Sequence, residues 1–442
     1  MPTIAFKTLG CKVNHYESEA LQELFVSEGF TIHDFNDFSD IYVINTCTVT
    51  NQSDSKSRKM IRQAVRKNPD AIVAVIGCYA QVDSDSIAAI DGVDIIMGTT
   101  DRGKLLEHIR RFMRERAPIK EVRDLTRYKT FDRLNVTAFS EQTRAFLKIQ
   151  DGCNEFCSYC IIPFARGRIR SRPMDEVLRE AKRLIGEGYK EIVLTGIHTG
   201  GYGSDLEDVT FYDLLNGLKD LNGLKRLRIS SVEINQLTRP ILTLMRDYPV
   251  FAHHLHIPLQ HGSDRILSTM RRRYTTKAYL DKLAEIRDIL GSDIAITTDI
   301  MTGYPGETDG DVTAMHETIK AAQFSELHVF PYSKRSGTKA AQSNEQIHGT
   351  IKSMRVNDLL RLNETLAENY RQRVLTNETP LEVLVETCDS VTCKGHASNY
   401  VTVEFPRENA RVNQILSVIL NNASYPVSKG SRTLSTRDAT NE

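Results

Sequence analysis

The sequence predicts an α/β protein in three parts: an N-terminal parallel-sheet domain, a central partial (β/α)6 barrel and a small C-terminal β-barrel. Two observations predict the α/β parts. Short apolar runs alternate with helical periodicity over the first ~100 residues, and again from about 143 to 372. The third part follows from a switch to period-two alternation over the last ~65 residues. A chain of 442 residues has room for about two to four domains. The boundaries are placed at 1–125, 139–372 and 374–437.

In the first part, residues 4–6, 40–45 and 71–76 read as short buried strands, with helical periodicity such as 17–25 between them. Cys11, Cys47 and Cys78 each follow one of these strands. Ligands of open α/β sheets collect at the carboxyl ends of strands, so three distant cysteines can converge at one edge. Residues 101–138, rich in arginine at first and then irregular, read as an interdomain connection. The central part has strands expected at 145–150, 191–196, 226–231, 253–257, 294–299 and 326–331. Helices are expected at 174–187, 211–220, 237–246, 276–290 and 311–321. In the third part, 381–386 and 400–405 alternate as half-buried antiparallel strands do, and Ser431 to Glu442 read as a frayed polar end.

Charged residues make up 26% of the chain and the formal net charge is zero, which neither favours nor excludes nucleic acid, because binding depends on local patches. No apolar run approaches the ~20 residues that span a bilayer, and the N-terminus lacks a signal-peptide pattern. A cytoplasmic protein with no membrane partner is expected. There, disulfides are disfavoured and the eight cysteines point to metal or catalytic roles.

Cys153, Cys157 and Cys160 form a C-x3-C-x2-C segment. Three thiolates this close can ligate three irons of a [4Fe–4S] cluster and leave the fourth open. An open iron can take an amine and a carboxylate, which S-adenosylmethionine (SAM) supplies. Tyr159 is placed to lie near the adenine. Zinc is the alternative, but it would want a fourth Cys or His nearby. Hydrolysis by the histidines at 253–261 would need a metal or a nucleophile triad, and no Ser or Cys has that context.

The string from Lys148 to Arg172 around this motif resembles the methylthiotransferase branch of the radical SAM superfamily, and the resemblance covers nearly the whole chain. It implies that Cys11, Cys47 and Cys78, in the motifs 8–14, 45–50 and 77–81, hold a second [4Fe–4S] cluster, with Asn14, Asn45 and Gln81 as donors behind the ligands. It also implies one SAM giving a methyl group to sulfur at that cluster. A second SAM is cleaved to a 5′-deoxyadenosyl radical that takes hydrogen from carbon 2 of an adenine. The strand-end segments of the barrel supply the SAM contacts. These are Thr195, Gly196 and His198 after the second strand, Glu233 after the third, Gln260 and Ser263 after the fourth, and Asp299 and Gly303 after the fifth. His261 stands where the family's HxPxQSGS segment has Ser, and Glu307 is as readily a helix cap.

Three basic clusters are candidates for the RNA backbone: Arg166, Arg168, Arg170 and Arg172 beside the cysteine motif, the run beginning at Arg271, and Arg335. The C-terminal part resembles a TRAM module, which holds RNA, with Tyr400 as the stacking residue. Cys388 and Cys393 are taken as structural. The first cysteine motif, Cys11-Lys-Val-Asn14, resembles the threonylcarbamoyl-adenosine branch rather than the isopentenyl-adenosine or ribosomal-protein branches. The partners then implied are the tRNA anticodon stem–loop and an electron-donor protein. An RNA-binding protein with structural clusters is the non-enzymatic alternative.

Overall fold

The structure is a computed structural model that describes residues 1–134, 136 and 143–433. Among these residues, no helix is long and apolar enough to cross a membrane.

The N-terminal sheet has six strands, all parallel, in the order Thr31–His33, Thr3–Thr8, Ile41–Thr46, Ile72–Gly77, Ile95–Met97 and Ile119–Glu121. Every residue of Ile41–Thr46 and Ile72–Gly77 is buried, as befits central parallel strands covered on both faces. The stretch read as a connection is part of this domain. Helix Leu105–Glu115 buries Leu105, Leu106, Ile109 and Phe112, and Ile119–Glu121 is the sheet's last strand. Its arginines lie on the opposite, solvated face, where Arg110 pairs with Glu28 at 2.6 Å.

The central strands Arg144–Lys148, Glu191–Thr195 and Arg226–Ile229 form one parallel sheet, and His254–His256, Ala295–Thr302 and Glu326–Pro331 form another. Isolated parallel bridges, Leu227 to Phe251 and Ser231 to His256, join the two halves. The result is the expected partial barrel. The helices that cross between strands begin on side-chain caps where the sequence offers them: Thr210 with Asp213, and Thr308 with Asp311, form reciprocal capping boxes. A 28-residue helix, Gly349–Thr376, runs past the predicted end of this part.

The C-terminal strands close a five-stranded barrel in the order Leu381–Cys388, Thr392–Ala397, Thr402–Pro406, Val427–Arg432, Ile415–Leu420. Ser431 and Arg432 are therefore strand, not frayed end. The predicted boundaries at 139 and 437, and the tail from 434, lie outside the described residues. Cys388 and Cys393 face each other across the first hairpin and form a disulfide, against the expectation from cysteine usage.

The N-terminal and central parts share one apolar core that includes Ile4, Leu21, Phe25 and Val43 on one side and Leu147, Leu184 and Leu194 on the other. Through that core runs a buried ionic network. Glu17 accepts from Arg102, Lys148 and Arg166 at 2.7 Å each, and Asp151 accepts from Lys148 at 2.7 Å and Arg166 at 3.1 Å. Burial alone would raise the Glu17 carboxyl, but these cations, Arg102 foremost, hold it down to about 2.

Candidate active site

Cys11, Cys47 and Cys78 follow the carboxyl ends of three neighbouring strands, so the sheet gathers them as the topology predicts. Cys11 is exposed, and Cys47 and Cys78 are buried. The close approach depends on glycine. Gly10 has φ +105°, and a Cβ there would lie 2.8 Å from the Cys47 Cβ. Asn14 Nδ2 donates to the carbonyls of Leu9 (2.8 Å) and Thr46 (3.1 Å), and Asn45 Nδ2 donates to that of Asn14 (3.0 Å). Gln81 donates to the Arg123 carbonyl at 2.9 Å. Asn45 and Gln81 therefore hold the loops, whereas Asn14 also reaches a ligand: its Oδ1 accepts from Cys11 Sγ at 3.8 Å. One donor to a sulfur comes from the other part of the chain: Arg166 Nε donates to Cys78 Sγ at 3.2 Å.

Cys153, Cys157 and Cys160 lie half-buried on one loop after the short strand Gln150–Asp151. The loop is pinned at both ends, by Cys153 N donating to the Gly167 carbonyl and by Ser158 Oγ donating to that of Thr269 at 2.8 Å. Its sulfurs also receive N–H groups: the amide of Glu155 on Cys153 Sγ at 3.4 Å and Arg272 Nη1 on Cys157 Sγ at 3.6 Å.

Neither triad is drawn together as a single ion would require. A zinc site would draw its sulfurs to about 3.8 Å from one another. Among the described residues, His256, Asp299 and His328 form the one trio of ligating side chains whose atoms all lie within 4.8 Å, so neither cysteine triad is that tight. Burial pushes the thiols up, Cys78 to about 11 and Cys153 and Cys160 to about 12, so they ionise when a metal holds them. The N–H groups on sulfur suit thiolates bound to iron.

The residues expected to hold SAM fall into two groups. Gln150, which the spacing arguments passed over, organises the first: its Oε1 accepts from His198 N at 2.8 Å, and a Cβ on Gly196 would lie 2.9 Å from it. Tyr159 sits half-buried close to Cys157, Cys160 and Arg272. Glu233 pairs with Arg272 beside Cys157, in a cavity of about 100 Å³, and also caps the short helix Ile234–Gln236. Gln260 is buried at φ +68°, with its Oε1 lacking a partner among the described residues, an acceptor left open for a ligand donor. The second group turns out to be structural. Ser263 Oγ donates to Asp311 at 2.7 Å, and Gly303 N donates to Glu307 at 2.8 Å. The buried His261 ring lies 3.2 Å from Glu307, which also takes Arg355 at 2.8 Å, so the histidine at this position braces a turn. Asp299 lies between His256 and His328, 3.4 Å from each.

Four of the predicted RNA-binding arginines are corrected. Arg166, Arg170 and Arg172 are buried, bound to Glu17 and Asp151, to the Arg166 and Arg168 carbonyls, and to Glu180 respectively. Arg335 is buried against Asp54 at 2.7 Å and Thr48 at 2.6 Å. Buried cations already held by such partners cannot reach a phosphate. Arg168, stacked over Phe156, and Arg271 remain exposed. Tyr400 does not face outward either. Its ring stacks on His254 at 4.8 Å and lies under Arg228 at 4.7 Å, where the C-terminal barrel meets the central one. There it lines a cavity of about 400 Å³ together with Cys11, Thr195, Gly196, Ser230 and His328.

Two families match the chain. An uncharacterized protein family, UPF0004, matches residues 3–98, and the radical SAM superfamily matches residues 147–319. The chain is 46% identical to the threonylcarbamoyladenosine tRNA methylthiotransferase MtaB of Bacillus subtilis (strain 168), over 97% of this chain and 96% of that protein. It is 36% identical to the MtaB of Aquifex aeolicus over 84% of this chain and 90% of that protein. It is 34% identical to the tRNA-2-methylthio-N(6)-dimethylallyladenosine synthase of Clostridium tetani, over 87% and 85%. Among solved structures, the radical SAM methyltransferase TsrM of Kitasatospora setae superposes with a TM-score of 0.58 at 15% identity, covering 77% of each chain, which is a likeness of fold.

Proposed function

Because the chain belongs to the radical SAM tRNA methylthiotransferase family, we propose that it inserts a methylthio group at C2 of N6-threonylcarbamoyladenosine beside the anticodon of tRNA. In this reading two clusters serve the reaction, one SAM is the methyl donor and a second is the radical source. The observation that carries it is the single cavity with Cys11 on one wall and Thr195 and Gly196 on another. A base in that space would face Cys11 and the strand end expected to hold SAM. When bound, the cluster on Cys153, Cys157 and Cys160 supplies the electron that cleaves SAM, and that on Cys11, Cys47 and Cys78 supplies the sulfur-bearing position.

The chain's own residues orient and enclose. Gln150 fixes the His198 loop, Gln260 offers its open carbonyl oxygen, and Glu233 with Arg272 walls the cysteine loop. Tyr400, held between the two barrels by His254 and Arg228, closes the cavity. Arg168 and Arg271 are the exposed cations left to meet the RNA backbone. An electron-donor protein and a cytoplasmic setting complete the reading.

The test is anaerobic reconstitution with iron and sulfide counting, then reaction with SAM, reductant and threonylcarbamoyl-modified tRNA, read by nucleoside mass spectrometry. About eight irons per chain and a methylthio product are expected. SAM cleavage without that product would move the substrate to isopentenyl-adenosine tRNA or to a protein aspartate. One zinc and no SAM cleavage would overturn the enzyme reading.

A further inference from the structure

The cavity beside Cys11 is unusual in its charge. Its wall carries Lys12, Arg228, His254, His256 and His328, and neither Asp nor Glu lines it. These groups are not equivalent. Arg228 is fully engaged: Nε donates to Glu191 at 2.7 Å, and its two terminal nitrogens donate to the carbonyls of Ser398 (3.1 Å) and Ala397 (3.2 Å). His254 shares the Thr297 hydroxyl at 3.0 Å, and His256 and His328 share Asp299. Lys12 alone is half-buried with no hydrogen bond or ion pair to any described residue. The carboxylate that acts on it, Glu191, is already held by Arg226 at 2.9 Å and Arg228 at 2.7 Å. Besides Glu191, the Tyr400 hydroxyl is the group that acts most strongly on Lys12, and a cation in a cavity lined by neither Asp nor Glu is a place where a bound anion is favoured.

We propose that Lys12 binds the carboxylate of the substrate's N6 substituent and thereby makes this cavity selective for an acidic modified adenine. The inference rests on the function proposed above and goes beyond it by naming the selecting residue. A threonylcarbamoyl group carries its amino-acid nitrogen inside a urea, so its carboxylate is its one charged group. An isopentenyl group carries none. The cavity, about 400 Å³, is of small-molecule size, and Tyr400 lines it. Lys12 follows Cys11 directly, at the start of helix Lys12–Ser27, so the charge that would grip the substituent is placed from the same loop as a cluster ligand.

Two ligands bring a carboxylate to this site, the modified base and SAM, and the RNA also brings phosphates. Binding of labelled anticodon stem–loops to the reconstituted enzyme separates them. Three RNAs are compared: threonylcarbamoyl-adenosine as the free acid, its methyl ester, and plain adenosine. The wild type is expected to bind the acid at least ~10-fold tighter than the ester, the scale of one charge-assisted hydrogen bond. Lys12→Met is expected to bind acid and ester alike, and Lys12→Arg to keep the preference. Equal binding of acid and ester by the wild type overturns the proposal without any variant. So does a Lys12→Met protein that keeps the acid-over-ester ratio. If SAM affinity by equilibrium dialysis falls while that ratio stands, the ammonium serves SAM instead. If plain-adenosine RNA weakens as much as the acid, it serves phosphates. Failure of the substrate reading itself looks different: the wild type then methylthiolates isopentenyl-adenosine RNA and ignores the threonylcarbamoyl one.

Discussion

Cys153, Cys157 and Cys160 share one loop, whereas Cys11, Cys47 and Cys78 come from the ends of three separate strands, 36 and 31 residues apart. The compact triad is shaped mostly by its own chain: a glycine at φ +74° and two hydrogen-bonded pins. The dispersed triad is shaped by the whole sheet and by Arg166, which reaches it from the barrel. A local site survives damage elsewhere. A site assembled by topology fails whenever the topology loosens, so the two should respond differently to the same kind of perturbation.

The sharpest way to expose that difference is to remove one ligand from each. Cys47→Ala is expected to lose the product altogether and to fall from about eight to about four irons, while still cleaving SAM to 5′-deoxyadenosine. Cys157→Ala is expected to lose both product and SAM cleavage. Iron counting and chromatography of the nucleoside check both, and full activity in Cys47→Ala would sink the second cluster. Next comes the link between the parts. Arg166→Met leaves Glu17 and Asp151 short of a buried counter-charge and should cost about 3–5 kcal/mol in urea unfolding of the apoprotein. It should lower iron retention at the dispersed triad first.

Acid probes the same network from the carboxylate side. Glu17 is held down to about 2 in the fold, against about 4.3 in an unfolded chain. Its contribution to stability is therefore complete above about pH 4.3 and is lost as the pH falls toward 2. Unfolding midpoints from about pH 7 to about pH 3 should drop for the wild type, and drop less for Glu17→Gln; parallel curves would refute the assignment. The smallest effect is expected at His261→Ser, which removes one contact to a Glu307 still held by Arg355 and backbone amides. A loss of about 1–2 kcal/mol, with both clusters retained, is expected.

The same contrast explains what could be read from residues alone. The compact motif was legible because its information lies within eight positions, and the long buried strands because their apolar runs are periodic. Strands of three residues, such as Ile95–Met97 and Ile119–Glu121, are too short to show a period. The arginines were misread for a related reason. A run of Arg166, Arg168, Arg170 and Arg172 looks like a solvated face, and its partner Glu17 lies 149 residues away, inside an ordinary helical pattern. Long-range charge pairing leaves no mark on local sequence. Lys12 was in plain view within the first cysteine motif, but only the fold shows that it lines a cavity without Asp or Glu.

Arg226 and Arg228 of one barrel strand donate to the carbonyls of Glu382, Ala397 and Ser398, so the C-terminal module is bolted to the catalytic barrel through its backbone. That makes the module a measuring jaw rather than a tethered hook. A tethered domain would let the RNA swing and sample several nucleotides. In the function proposed above, a fixed jaw would gauge a set distance from any RNA it held to the cavity lined by Tyr400. On that proposal, choice of nucleotide along an anticodon loop would be a matter of length as much as of chemistry. Trimming the module would remove Tyr400 and open one wall of the cavity beside Cys11.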